Sequence, residues 1–409
     1  MSRLRWLWRE LIRPRGGQHR FYRVGRRSRA GVALMLVLSS LLFMMIIVTE
    51  ITHGATVRVQ LAAHQRDEAE AEALARTGLG IYQLVLMASK QLGQQFGAMM
   101  AQYGLGSDTL WQMVPFINTG MMRMLLVSGA DLQKQDMQQY QEQGLTDEQR
   151  ARSMEESKTS TQRNFLDFDG DFFAQVQDED SKLYVGDITA TSYAQLLEND
   201  RAIRLYALMS GPDNDQFFYD QNLDRWQLIG DLADWTDADN ERLYQGGRED
   251  ALYQSLPDPY LPKNAGFDSM EEIRLVNGWN RDDVWERFSK DITIYGSGKV
   301  NVNTADRNTL LALMRAYVTP TTPDFEDQLL GEIELYRSMA SYPSAQAFTQ
   351  HLESLGATVD PRMNAAVTNQ SSVFHVTSTG QVRDAVVTID AIIDFSQSRL
   401  GKIVSFKIR

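Results

Sequence analysis

The sequence predicts an α+β protein: one long N-terminal helix crosses a membrane, continues as a stalk on a small antiparallel sheet, and is followed by a large inserted helical domain. Three observations predict it. Residues 30–48, AGVALMLVLSSLLFMMIIV, are uncharged, and about twenty apolar residues are what a helix needs to cross a bilayer. The chain that follows, to residue 92, is rich in Ala, Glu, Gln, Arg and Leu with apolar positions three and four apart, the mark of an amphipathic helix. Segments that alternate apolar and polar residues around Gly or Asp recur at 166–189, 291–302 and 372–409, and a two-residue period is that of a half-buried strand.

Taken in order, residues 1–31 form a basic leader with ten arginines against a single acid, Glu10. A cluster of arginines just before an apolar helix stays on the cytoplasmic side. Everything beyond Glu50 is therefore expected in the periplasm, on a single-pass anchor. After the apolar run comes Thr49-Glu50-Ile51-Thr52-His53, a poor match to the small-residue site of a cleaved signal. Residues 32–92 read as one transmembrane and stalk helix, with Gly54 the one helix breaker between the apolar run and the stalk. On that stalk Val57, Leu61, Leu74, Leu79 and Val85 are candidates either for packing on other subunits or for covering the protein's own sheet.

Residues 93–165 read as an irregular helical or flexible insertion. Within them, WQMVPFINTGMMRMLLV reads as a buried helix, broken by Pro115, Gly120 and Arg123, and residues 131–163 are polar enough to stay solvated. Two stretches, FLDFDGDFFAQVQDEDSKLYVGDI and SKDITIYGSGKVNVNTAD, read as hairpins, with Asp167-Phe168-Asp169-Gly170-Asp171 as a plain turn. Residues 190–290 are the inserted helical domain and 303–371 a further helical segment. Ser269 is placed to open a helix with Glu271 and Glu272 in its first turn, and Asn303 or Thr304 to cap another. Residues 372–409 supply two or three C-terminal strands rich in Val, Ile and Phe.

Composition excludes several classes of chemistry. There is no cysteine, so disulfides, thiolate nucleophiles and Cys-based metal sites are absent. The five histidines, His19, His53, His64, His351 and His375, include no pair at metal-ligand spacing. No G-x-S-x-G, H-E-x-x-H or phosphate loop occurs, so no enzyme is expected and no catalytic residue is assigned. The formal charge is −12, and without the leader it is −21. An acidic body opposes binding to phosphates. NVNTADRNTLLAL resembles the opening of a helix-hairpin-helix nucleic-acid module. The sequence Met314-Arg315-Ala316-Tyr317-Val318 follows, without the Gly-rich hairpin such a module needs, so no nucleic-acid partner is expected.

Two sets of residues resemble a known family. A basic leader, a small residue directly before the apolar run, and a spanning helix continued as a stalk resemble the type IV pilins and pseudopilins. That likeness implies a pilin-like fold, cleavage by prepilin peptidase at the Gly31-Val32 bond, and methylation of the new N-terminus. The leader is longer than is usual there, and the fifth residue after the cut is Leu36, where most members carry glutamate. A carboxylate inside the membrane persists only when paired, here with the neighbouring subunit's N-terminus, and a subunit with leucine makes no such pair. Within the family this marks the tip subunit.

The second set lies in the helical domain: Asp234-Trp235-Thr236-Asp237-Ala238-Asp239, Gly247-Arg248-Glu249, Tyr253, Pro259-Tyr260, Lys263-Asn264, Ser269-Met270-Glu271-Glu272-Ile273 and Val276, followed by NVNTADRNTLLAL. These resemble minor pseudopilin K of type II secretion systems, the general secretion pathway protein K family. The resemblance implies a structural tip subunit that nucleates or caps a pseudopilus in protein secretion, with minor pseudopilins I and J, prepilin peptidase and the inner membrane as partners. A type IV pilus minor pilin is the alternative; it shares the N-terminus but not the central motif.

Asp234, Asp237, Asp239 and Glu241 are a dense set of hard oxygen ligands suited to Ca2+. Their spacing is not that of an EF-hand, and from the residues alone a solvated acidic turn with helix caps is the favoured reading. The resemblance adds calcium binding and points to Asp237, Asp239 and Glu249 as ligands.

Overall fold

The computed structural model describes residues 27–101, 110–124 and 169–409. Most of the leader, residues 1–26, most of the 93–165 insertion, and Asp167 and Phe168 lie outside them. The chain divides into two units, Met1–Gln65 and Arg66–Arg409. Helix α1, Arg27–Ala101, contributes to both. In the first unit it is the one described helix long and apolar enough to cross a membrane. There Gly31, Val32 and Leu36 lie on an exposed surface, and Val57 and Leu61 are also exposed.

The second unit holds two cores. The first is a five-stranded antiparallel sheet in the order β1-β2-β9-β10-β11, with β1 at Phe116–Asn118, β2 at Asp171–Asp178, β9 at Val373–Val382, β10 at Ala385–Asp394 and β11 at Lys402–Ile408. Two-residue alternation aims Phe172 and Ala174, Phe374 and Val376, and Ile389, Ala391 and Ile393 at one face. There they meet Ala71, Leu74, Ala75, Leu79, Tyr82 and Leu86 of α1. Leu74 and Leu79 thus cover the chain's own sheet, and Val85 packs against the same core half-buried. Helix and sheet touch backbone to backbone at Gly380, where a Cβ would overlap the Ala71 carbonyl oxygen. Gly78 allows the same closeness from the helix side, against Phe172 and Ala174.

The second core fills residues 183–367. The 190–290 and 303–371 segments share it: Leu205, Trp279, Phe288, Leu313 and Phe348 belong to one apolar cluster. Each large apolar side chain so buried is worth about 1.5–3 kcal/mol. Its helices include α2, Tyr193–Glu198, α3, Asp200–Leu208, α4, Pro212–Asp220, α5, Arg225–Thr236, and α6, Asp250–Gln254.

Three local expectations are corrected. Residues 116–118 are strand β1, not part of a buried helix, because Pro115 cannot continue a helix and Ile117 is drawn into the sheet core. The two hairpins do not form. After β2 the chain enters a 3-10 turn, Glu179–Ser181, and the short strand β3, Leu183–Tyr184, pairs parallel with β4, Ile292–Thr293. β5, Val300–Asn301, pairs parallel with β8, Val367–Thr368, while between them β6, Val318–Thr319, pairs antiparallel with β7, Thr358–Val359. The cause is a buried acidic turn. The Asp178 carboxylate accepts from Asn301 Nδ2 at 3.3 Å, from Ser371 Oγ at 2.5 Å and from Thr304 Oγ1, and Asp180 accepts from Ser372 N at 2.6 Å and Val373 N at 3.1 Å. Burial pushes Asp178 up to about 7. These partners arrive from more than a hundred residues away, and alternation alone does not separate a hairpin from such a crossing.

The caps are corrected too. Thr304 is spent on Asp178, and the helix Arg307–Tyr317 is capped by Asp306, which accepts from Thr309 N at 2.8 Å. Ser269 opens only a 3-10 turn, Met270–Leu275, without a side-chain cap.

Candidate metal centre

Helix α5 begins at an Asp224 cap, whose carboxylate accepts from Trp226 N and Gln227 N, and it buries Leu228, Ile229, Leu232 and Trp235. That register carries Asp231 and Asp234 inward as well, at 1% and 3% exposure. The helix stops at Asp237, whose N–H bonds to Ala233 O. The chain then loops back through Gln245, Gly246 and Gly247, all at positive φ, closed by a bridge between Glu241 and Arg248. The positive φ angles are strain-free only at the glycines. This reversal delivers Glu249, 1% exposed, to the end of α5 at the start of α6.

Carboxylate oxygens of Asp234, Asp237 and Glu249 then lie within 4.8 Å of one another. Among the described residues they form the group of acids placed to hold a metal ion. Asp234 Oδ1 accepts from Leu243 N at 3.0 Å, while Asp234 Oδ2 and both carboxylate oxygens of Glu249 are buried without a hydrogen-bond partner. Burial pushes Asp234 up to about 7, with Asp231 and Asp237 adding to it. Burial, then repulsion from Asp234, Asp237 and Asp239, pushes Glu249 up to about 8. Asp237 reaches about 6 through burial and Asp239. Arg242 reaches the neighbouring Asp231 Oδ1 at 3.5 Å.

Buried carboxylate oxygens without donors are costly, and those of Asp234 and Glu249, gathered with the Asp237 carboxylate, suit a hard cation with oxygen ligands. The residues present therefore fit calcium on a structural observation. The sequence-predicted set is brought together in part. Asp237 and Glu249 are in the group, Asp234 completes it, and Asp239 stands outside, its carboxylate accepting from Glu241 N at 2.8 Å. Glu241 is also outside it, at the edge of the loop. The signal for Asp234 was its place in the buried face of α5. Asn264 is a further candidate: its Oδ1 is buried and unpartnered, while its Nδ2 donates to Asp239 O.

The shell around the acids is aromatic and ordered. Trp235 packs edge-on to Tyr253, with centroids 5.4 Å apart, and donates Nε1 to Glu272 at 3.0 Å. Glu272 also takes Lys263 Nζ at 3.0 Å and Asp268 N at 2.7 Å.

This loop and its shell lie inside residues 215–296, which match the family model for type II secretion system (T2SS) protein K. The resemblance read from Asp234 through Val276 thus holds. Type II secretion system protein K of Aeromonas hydrophila is 26% identical over 183 residues, covering 44% of this chain and 53% of that protein. The match thus spans about half the length of that curated relative. A chain in the crystal structure of the GspK-GspI-GspJ complex from the enterotoxigenic Escherichia coli type 2 secretion system is 16% identical, with a TM-score of 0.45, over 59% of this chain and 80% of that one. The segment that matches the family model thus holds the whole carboxylate group, and the sheet-and-stalk core lies outside it.

Proposed function

We propose that the chain is a structural minor pseudopilin of a type II secretion system, seated at the pseudopilus tip, where it nucleates or caps assembly for protein secretion across the outer membrane. The observation that carries this reading is a match to the protein K family model in the same chain as a single apolar N-terminal helix that continues into a sheet-covering stalk. The role is mechanical: the apolar segment of α1 lodges in the inner membrane, with the leader in the cytoplasm and the body in the periplasm. Leu36 leaves no carboxylate to pair with a subunit stacked above. Proteins I and J, named with protein K in the E. coli complex, are the proposed partners, and prepilin peptidase acts at Gly31-Val32.

Calcium is proposed at Asp234, Asp237 and Glu249. Bound there, it supplies positive charge to neutralise carboxylates that the fold buries without donors. The protein's residues do the rest. α5 and the glycine turn hold the acids in place, and the Trp235 and Tyr253 rings screen them from water.

Co-purification of the full chain with its own proteins I and J, scored by size-exclusion chromatography with light scattering, tests the assignment. A stoichiometric complex is expected. A folded chain that meets neither partner returns the assignment to a type IV pilus minor pilin. In parallel, Gly31→Leu is expected to leave an uncut precursor on an immunoblot; a normal mature band refutes processing at that bond.

A further inference from the structure

Arg242 stands beside the carboxylate group without being satisfied by it. The chain from Asn240 to Glu249 doubles back as a short antiparallel pair. Glu241 and Arg248 bridge, Arg242 N donates to Gly247 O at 2.9 Å, and Glu249 N donates to Asn240 O at 3.4 Å. Alternation along the pair turns Glu241 and Arg248 to solvent, where both are exposed, and sends Arg242 and Glu249 inward. Leu243 N, one residue on, donates to Asp234 Oδ1. Arg242 is thereby set against the face of α5 that carries Asp231 and Asp234, which are neighbours on that face because they lie three positions apart.

The two aspartates meet the guanidinium unequally. Arg242 Nη2 reaches Asp231 Oδ1 only at 3.5 Å, the outer limit of a hydrogen bond, and its Nε is buried without a partner. Asp231 does not depend on it, since Asn277 Nδ2 donates to Asp231 Oδ2 at 2.7 Å. Asp234 Oδ2, on the same face, has no donor. A guanidinium with an idle buried N–H next to a carboxylate with an idle buried oxygen is costly to both groups.

We propose that Arg242 is a built-in competitor of the cation, an inference that rests on the calcium reading of this site. Its guanidinium turns onto Asp234 when the cation leaves and returns to Asp231 when the cation binds. The exchange is short. The two carboxylates share one helix face with about 5–6 Å between their Cβ atoms, and a planar fork of donors on a flexible stem meets either of them by side-chain rotation. One arginine faces the three acids Asp234, Asp237 and Glu249, so the group stays acidic and still attracts a cation. The cost falls on affinity, because apparent binding is reduced by the fraction of molecules in which Asp234 is free. Asp231 acts as a positioning residue. It gives the displaced arginine a second carboxylate, without which a charge would stay buried and unpaired.

Calorimetric titration of the full chain with calcium reads this competition. Arg242→Met, which keeps the apolar stem and drops the charge, is expected to bind calcium about tenfold tighter than wild type, and Arg242→Lys is expected to return toward wild type. Asp231→Asn, which removes the second seat at nearly unchanged shape, is expected to bind about tenfold more weakly, and the double variant with Arg242→Met as tightly as Arg242→Met alone. If Arg242 only props up the loop, Arg242→Met binds no better than wild type, and the inference falls while the calcium reading stands. In chelator, double-mutant cycles on melting are expected to couple Arg242 more strongly to Asp234 than to Asp231. The opposite order means that the guanidinium does not turn, and it overturns the exchange. If wild type takes up no calcium, the calcium reading fails and the inference with it.

Discussion

Between α1 and the sheet the packed groups are mainly apolar side chains and small residues, Ala71, Ala75 and Gly78 on the helix against Phe172, Val376 and Gly380 on the strands, and the buried Asp67 there is matched by Arg383. The helical core, by contrast, buries Arg204, Asp231, Asp234, Glu249, Asp291 and Glu326 along with its leucines and tryptophans. Some of those charges are matched, as where Arg315 holds Glu326 at 2.8 Å. Others are left to protons or an ion, as at Glu249. The first core owes its stability to shape and should be indifferent to ions. The second makes part of its stability conditional on the protons and ions around it.

The severest way to break that contrast is through shape. Gly380→Val drives a side chain into the α1 backbone, which overpacking places at about 3 kcal/mol or more. The body from Arg66 is expected to melt many degrees lower, with the loss unchanged by calcium. A loss that calcium repairs would mean the two cores are not distinct.

Calcium comes next. An ion at a hundred times its Kd stabilises by about 2.7 kcal/mol, so the melting temperature should rise with calcium and fall back with chelator. Glu249→Gln should abolish that rise.

Acidity sharpens the comparison further. Asp234, Asp237 and Glu249 have folded values of about 7, 6 and 8, above the roughly 4 of an unfolded carboxyl. The metal-free fold therefore binds more protons than the unfolded chain, and stability is lost as pH rises from about 4 through 8. Metal-free protein is expected to melt higher at pH 5.5 than at pH 8, and calcium should narrow the gap. Metal-free Glu249→Gln should exceed wild type at pH 8. Equal melting at the two pH values would show that the three acids do not carry raised values.

The smallest effect is expected where the helical domain meets β11. Lys407 and Arg409 reach Glu271, but exposed pairs are worth about 0–1 kcal/mol, so Lys407→Ala should shift melting by only a degree or two.

What could be read from the chain alone followed short-range periodicity. The apolar run at 30–48, the stalk and the C-terminal strands announce themselves because each side chain's environment is set by neighbours three, four or two positions away. The acid-rich Asp234–Glu249 stretch was legible as chemistry, and Glu249 was picked out through family likeness, fifteen positions from Asp234. What tertiary structure decided was pairing over distance. β3 and β5 left the main sheet for parallel partners because Asp178 and Asp180 found their donors at 301–304 and 371–373. Asp234 replaced Asp239 at the centre because α5 turned it inward while Asp239 was spent on a local turn. The reason is the same in each case: local sequence sets the period of an element, whereas burial and hydrogen-bond satisfaction are settled by residues that meet only after the chain has folded.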